Sequence, residues 1–186
     1  MTAGRFRRVA ERDVHRGYLV HLVVATVEAP DGTTFERDVV RTPDAVGVVA
    51  VDRGADGTWD VVLVRQYRAA VDDWVLELPA GMRDVDGEPV DETARRELEE
   101  EAGLVPGRIE PLGAIHPAPG FTTHRTDLVL ATELTATERR ADGIEEESMT
   151  VERLSLADAV ALVASGTITD ATTSVGLLLA RDRLEG

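Results

Sequence analysis

The sequence predicts an α/β fold, and three features carry that expectation. Ala45 to Val51 is a near-continuous apolar run, the pattern of a strand buried on both faces. Val90, Ala94, Leu98 and Ala102 recur every four residues between Pro89 and Gly103, a narrow apolar stripe suited to packing a helix on a sheet. Leu156 to Ala164 and Asp170 to Leu184 carry helical patterning after a further strand-like stretch. At 186 residues, with 43% apolar and 30% charged side chains, the chain is long enough for one domain with a sizeable core.

Taken in order, Met1 to Arg16 is locally basic, with Arg5, Arg7, Arg8, Arg12 and Arg16 against Glu11 and Asp13, and is expected to be a solvated, partly mobile arm. Tyr18 to Val27 reads as a strand, Pro30-Asp31-Gly32-Thr33 as a turn, and Thr34 to Val40 as the returning strand. Residues 1–42 are therefore expected to form an N-terminal β region ahead of a domain over 43–186. Asp52 to Gly57 is a loop and Trp59 to Gln66 a strand. Arg65-Gln66-Tyr67-Arg68 sits at that strand's end, either as a solvated strand exit or as a partner for a diphosphate or an adenine ring. Trp74 to Leu78 is a short strand, and Pro79 turns the chain into a glycine loop. The helix that follows starts near Pro89, whose missing N–H costs nothing in a first turn, and stops at Gly103. Arg108 to Ile115 is a strand, His116 to Phe121 a stiff proline-rich loop, and Thr126 to Leu134 another strand. Thr135 to Thr150 is a long acidic loop holding Glu145-Glu146-Glu147, and loops of that length are more often functional or disordered than filler. Val151 to Leu154 is a strand, Leu156 to Ala164 a helix with Ser155 as N-cap, and Asp170 to Leu184 a last helix with Val175, Leu178 and Leu179 facing inward.

The net charge of −15 argues against a broad polyanion-binding surface and so against nucleic acid as a partner. No stretch reaches the roughly 18 apolar residues of a membrane-spanning helix. Met1 to Val14 lacks the apolar core of a secretory signal. The absence of cysteine removes disulfides, thiolate catalysis and zinc–sulfur sites, and a cytoplasmic location is expected. A small anion remains a feasible ligand where cations and a few arginines reverse the local field.

The helix between Pro89 and Gly103 concentrates carboxylates. Glu97 and Glu101 stand one turn apart, and Glu100 is three on from Glu97, so all three crowd one side. Most Glu-rich helices are only solvated faces. Here, however, like charges at those spacings cost helix stability, and hard divalent cations prefer oxygen ligands. Arg96, four before Glu100 and next to Glu97, is placed to hold carboxylates. The run Gly81, Glu88, Arg96-Glu97-Leu98, Glu100-Glu101 and Gly103-Leu104 resembles the Nudix box, G-x5-E-x7-R-E-U-x-E-E-x-G-U with U aliphatic. The match departs in one place: six residues, not five, separate Gly81 from Glu88, and the extra one falls within Arg83 to Gly87, where insertions are tolerated. Arg65-Gln66-Tyr67-Arg68, Trp74 to Gly81, and Pro117-Ala118-Pro119-Gly120-Phe121 are similar to the ADP-ribose pyrophosphatase branch, in which a proline follows the box at about the distance of Pro119 from Leu104.

The resemblance implies a Nudix α/β/α sandwich with a mixed central sheet, and cleavage of ADP-ribose by water to AMP and ribose 5-phosphate with Mg2+ or Mn2+. It assigns Glu97, Glu101 and Glu100, with the Ala80 carbonyl, as metal ligands, and Arg96 as the group that orients the glutamates. Arg68 is expected to meet the substrate phosphates or terminal ribose, with Pro119 and Phe121 also against substrate. A loop glutamate is expected to position or deprotonate the water; Glu145 is the first candidate and Glu147 the second, beside Glu146. Members of the branch are commonly homodimers whose N-terminal strands complete the partner's site, which gives Arg37 a route to a neighbouring pocket. His116 and His124 are expected to serve the loop and not the metal. Competing functions are hydrolysis of another nucleotide sugar such as GDP-mannose, and ADP-ribose binding without cleavage, which usually goes with loss of box carboxylates.

Overall fold

The computed structural model describes residues 5–140 and 148–186. The chain divides into two compact units, Met1–Pro43 with His116–Arg125, and Asp44–Ile115 with Thr126–Gly186.

The first unit is built on an antiparallel sheet in the order β1 (Arg7–Arg16), β2 (His21–Glu28), β3 (Thr34–Arg41). The arm expected at the N-terminus is, over Arg7–Arg16, a ten-residue strand. No apolar periodicity announces it, because its order comes from backbone pairing with β2 and from charges that match across the ladder. Arg7 lies opposite Glu28, with an Nη2–Oε1 distance of 3.1 Å, and Asp13 takes the His21 ring at 2.9 Å. The strand expected from Tyr18 begins instead at His21, since Gly17 donates its N–H to the Val20 carbonyl and closes the chain reversal there. The proline loop joins this unit through the end of β3: Val40 donates to the Phe121 carbonyl at 2.7 Å, and Thr123 donates back to Val40 at 3.0 Å.

The second unit contains β4 (Ala45–Arg53), β5 (Trp59–Arg68), β6 (Asp73–Glu77), β7 (Ala80–Met82), α1 (Val90–Ala102), β8 (Leu104–Ile115), β9 (Thr126–Ala136), β10 (Thr150–Ser155), α2 (Leu156–Ala164) and α3 (Ala171–Glu185). Its sheet runs β10-β5-β4-β9-β8, with β6 added to β5 and β7 to β4. The β4–β9 pair is parallel and the other ladders are antiparallel, so the sheet is mixed.

β4 is apolar from Ala45 to Val51 because both its faces are covered there. Val46, Val48 and Ala50 join Val62, Val129 and Ala131 against Ala94 and Leu98 of α1. Val49 and Val51 join Val61, Leu63, Leu128 and Leu130 against Leu156 and Ala159 of α2 and Leu177 and Ala180 of α3. One helix on one face and two on the other make the α/β/α sandwich. Two expectations need correction. β8 starts at Leu104 and not at Arg108, because Gly103, left-handed at φ 64°, turns the chain straight from the helix into the ladder, where Leu104 pairs with Ala136. In α3 the buried positions are Thr173, Gly176, Leu177 and Ala180, a 3.6-residue stripe that leaves Leu178 exposed; Val175 and Leu179 only flank the core.

Leu98 has no solvent exposure and is the central contact of α1 with the sheet. Leu98→Ala is expected to destabilise the protein by about 2–5 kcal/mol, read as a lowered midpoint in urea unfolding at unchanged slope.

Candidate active site

The acidic helix is seated by the segment that leads into it. Glu77 ends β6, and each of the next three residues is tied down. Leu78 donates its N–H to Thr173 Oγ1 at 2.9 Å, the Pro79 carbonyl accepts from Val48 at 2.9 Å, and Ala80 donates to Glu101 Oε2 at 2.9 Å. β7 then pairs with the start of β4, Gly47 opposite Ala80 and Val46 opposite Gly81. At Gly81 a Cβ would fall inside the Glu97 carboxylate, closer than van der Waals contact to its carbon and to both oxygens. Only glycine lets the backbone approach that side chain so closely. The loop glycine and the helix glutamate are therefore one structural unit.

Glu97 and Glu101 are both buried, 7% and 4% exposed, whereas Glu100 is partly open. Arg96 gathers the acids around it. Its Nη1 lies 2.7 Å from Glu97 Oε1 and 3.2 Å from Glu100 Oε2, and its Nη2 lies 3.6 Å from Glu88 Oε2. Burial works against the guanidinium charge, but Glu97, Glu100 and Glu88 outweigh it and hold the group above its ordinary pKa. Glu88 is further fixed by Thr93, whose Oγ1 donates to Oε2 at 2.7 Å.

Arg68, at the end of β5, is clasped by Glu77, with Nε 3.1 and 2.9 Å from the two carboxylate oxygens and Nη2 2.6 Å from Oε2. Burial opposes the Arg68 charge; Glu77 offsets this, and Glu101 and Asp170 add to it, so the net shift is upward. That Glu101 acts on Arg68 puts the arginine in the electrostatic neighbourhood of the box helix. Burial pushes the Glu77 carboxyl up, against the pull of Arg68.

The donor set suits a hard divalent cation. It is all oxygen, two of its carboxylates are buried and immobilised, and the three acids lie toward the C-terminal half of α1, where the helix dipole disfavours negative charge and no basic residue occupies the last turn. Among the described residues no three His, Asp or Glu side chains already stand in metal-holding geometry, and Glu97 and Glu100 both lean on Arg96. Mg2+ does not need a complete protein cage; it takes one or two carboxylates and fills its shell with water and phosphate oxygens.

Arg37, Pro119 and Phe121 belong to the other unit. There Arg37 stacks on Phe35 at 4.5 Å and donates to the Glu36 carbonyl, and Phe121 is exposed. His124 bonds Thr42 Oγ1 and the Pro43 carbonyl through Nδ1, and His116 bonds the His124 carbonyl. Glu145, Glu146 and Glu147 lie outside the described residues. Sequence reasoning missed Thr93, although a β-branched threonine among the Glu, Arg and Ala of a helix is a weak helix former whose hydroxyl can bond a neighbouring group. It also gave Glu77 no role of its own. A cavity of about 780 Å3, lined by Asp52, Arg53, Trp59, Arg108 and Arg183 among others, lies at the opposite end of β4. Arg53 is stacked on Trp59 at 4.0 Å, Arg108 is paired with Glu110 and Arg153 with Asp52.

The family model of the NUDIX domain matches residues 41–172. The chain belongs to the Nudix family. It is 33% identical over 172 residues to an ADP-ribose pyrophosphatase of Bacillus subtilis, covering 92% of this chain and 90% of the relative. It is 34% identical over 173 residues to an ADP-ribose pyrophosphatase of Mycobacterium tuberculosis, covering 93% and 82%. Its fold is similar to that of a solved structure described as an ADP compounds hydrolase, with a TM-score of 0.85 at 25% identity over 100% of this chain and 97% of the other. The segment that resembles the Nudix box, Gly81 to Leu104, lies within that match, and Gly81 and Glu97 are the pair in contact here. No helix among the described residues is long and apolar enough to cross a membrane.

Gly81→Ala is expected to displace Glu97 and weaken Mn2+ binding by at least about tenfold, as seen in the EPR signal of free Mn2+, while the far-ultraviolet circular dichroism is kept.

Proposed function

We propose that the protein hydrolyses the diphosphate bond of ADP-ribose, adding water across the P–O–P linkage to release AMP and ribose 5-phosphate with the help of a divalent cation. The observation that carries this reading is the seating of the Gly81 backbone on the Glu97 carboxylate, with Ala80 on Glu101, within a chain whose near-full-length relatives bear the name ADP-ribose pyrophosphatase. Glu97, Glu101 and Glu100, with the Ala80 carbonyl, hold the cation, Mg2+ or Mn2+. When bound, the cation neutralises diphosphate charge and makes water a better nucleophile at neutral pH.

The chain's own residues supply position. Arg96 keeps Glu97 and Glu100 from splaying apart, and Arg68 binds a substrate phosphate or the terminal ribose. Glu145, or else Glu147, in the acidic segment between β9 and β10 orients the attacking water or accepts its proton. Pro119, Phe121 and Arg37 contribute to the substrate pocket, the last from the N-terminal strands of a partner in a homodimer. Those strands are assigned to dimerisation as an element over residues 1–42, with the hydrolase domain over 43–186.

A panel of nucleoside diphosphate sugars with Mg2+ should show AMP release from ADP-ribose exceeding GMP release from GDP-mannose. GMP as the main product would move the assignment to another nucleotide sugar, and tight ADP-ribose binding without product would make the protein a sensor. Glu101→Gln is expected to lower turnover by about 10²-fold or more with unchanged thermal stability in the absence of metal; wild-type turnover in that variant would remove Glu101 from the cation site.

A further inference from the structure

Arg68 faces one acidic residue across the ladder and bonds another. In the β5–β6 ladder it pairs with Asp73, an exposed residue whose carboxylate instead accepts the Trp74 N–H. The guanidinium reaches four residues further along β6 to Glu77, opposite Val64, whose side chain is only 11% exposed. Nothing in stability explains this choice. A half-buried ion pair yields little net energy, and burying the carboxylate carries a desolvation cost that already shows in its raised pKa.

The geometry explains it. Glu77 takes Nε and Nη2 of Arg68, in the paired fork that fixes a guanidinium plane, and leaves Nη1 outside the clasp. The three residues that follow Glu77 are bonded in turn to α3, β4 and α1, the last through the Ala80–Glu101 bond. A single anchored stretch, Glu77 to Gly81, thus carries the clasp on Arg68 at one end and the seats of Glu101 and Glu97 at the other.

We infer that Glu77 is a positioning residue that holds Arg68 as a one-edged fork for a substrate phosphate and sets its distance from the box carboxylates. The anion that meets the free Nη1 edge is one phosphate of a nucleoside diphosphate sugar, and this rests on the function proposed above. Asp170 acts on the same pair from a third direction. Its carboxylate caps α3 on Thr173, the residue that anchors Leu78, while its charge favours the Arg68 cation and opposes the Glu77 carboxylate. Lysine would not substitute for Arg68, because a point charge cannot be clasped on one edge and present the other.

A double-mutant cycle on Glu77→Gln and Arg68→Met, read as kcat and KM for ADP-ribose with saturating Mg2+, tests this. Glu77→Gln is expected to raise KM about tenfold with kcat within about threefold of wild type, and to change KM by less than about twofold when Arg68→Met is already present. An equal KM effect in both backgrounds, or none in either, overturns the inference. A second readout needs no substrate. In 15N NMR spectra the Arg68 Nε–H resonance, assigned by its loss in Arg68→Lys, is expected to shift and broaden in Glu77→Gln; an unmoved resonance sinks the positioning role. Absence of AMP from ADP-ribose with the wild-type protein would overturn the substrate assignment and leave the NMR result to decide this one.

Discussion

The second unit is arranged around an electrostatic problem: three glutamates within two turns of one helix, two of them buried. At i, i+3 and i+4 each like-charged pair costs an isolated helix about 0.2–0.5 kcal/mol, and burial enlarges that cost by removing the water that screens it. The helix dipole adds to it, because Glu97 to Glu101 stand in the C-terminal half of α1 where the macrodipole is negative. Among the groups that answer these charges are the Arg96 guanidinium, against Glu97 and Glu100, and the Ala80 peptide N–H, against Glu101. The apolar stripe on the opposite side of α1 holds the helix in place, since Ala94 and Leu98 lock it to the sheet.

The sheet explains why these charges are held in a defined place. β4 lies at its centre, with β5 and β9 as neighbours and β7 added at its first residues. α1 packs on the face to which Val46, Val48 and Ala50 point, and the loop that enters it is fixed by the β7–β4 pairing, by hydrogen bonds that Leu78 and Ala80 donate and by one that the Pro79 carbonyl accepts. Side-chain geometry in the site therefore inherits its precision from strand positions and not from loop contacts, the arrangement that chemistry with sub-ångström tolerance requires.

How much of this could be read from sequence depended on whether the information was local. The α1 stripe, the Pro89 and Gly103 boundaries, the Ser155 cap and the two-faced burial of β4 all follow from local pattern, and the structure has them. β1 was illegible because a charged strand ordered by cross-strand partners carries no apolar signal. The first residues of β8 were hidden by Pro106 and Gly107, which read as turn residues yet lie within the strand, Pro106 opposite Leu134 of β9. In the site, the box residues were legible through their spacing, whereas the Glu77 clasp on Arg68 was not. It joins residues nine apart on neighbouring strands, and no rule of spacing selects Glu77 over Asp73.

The one-residue departure from the family spacing illustrates how such a site tolerates change. The segment after Gly81 is held at its base: Arg83 donates its N–H to the Asp44 carbonyl at 2.8 Å, and its guanidinium spans Asp127 and the Glu88 carbonyl, each at 3.3 Å. Residues 84–87 are exposed, with Gly87 left-handed at φ 78°, and Glu88 donates back to the Val85 carbonyl to close the turn. An additional residue inside that turn lengthens only its solvent-facing arc. The position of Glu88 is set from the other side, by Thr93 and Arg96 on the helix. Because the glycine end is referenced to β4 and Glu97 while the glutamate end is referenced to α1, the loop between them does not transmit its length to the carboxylates.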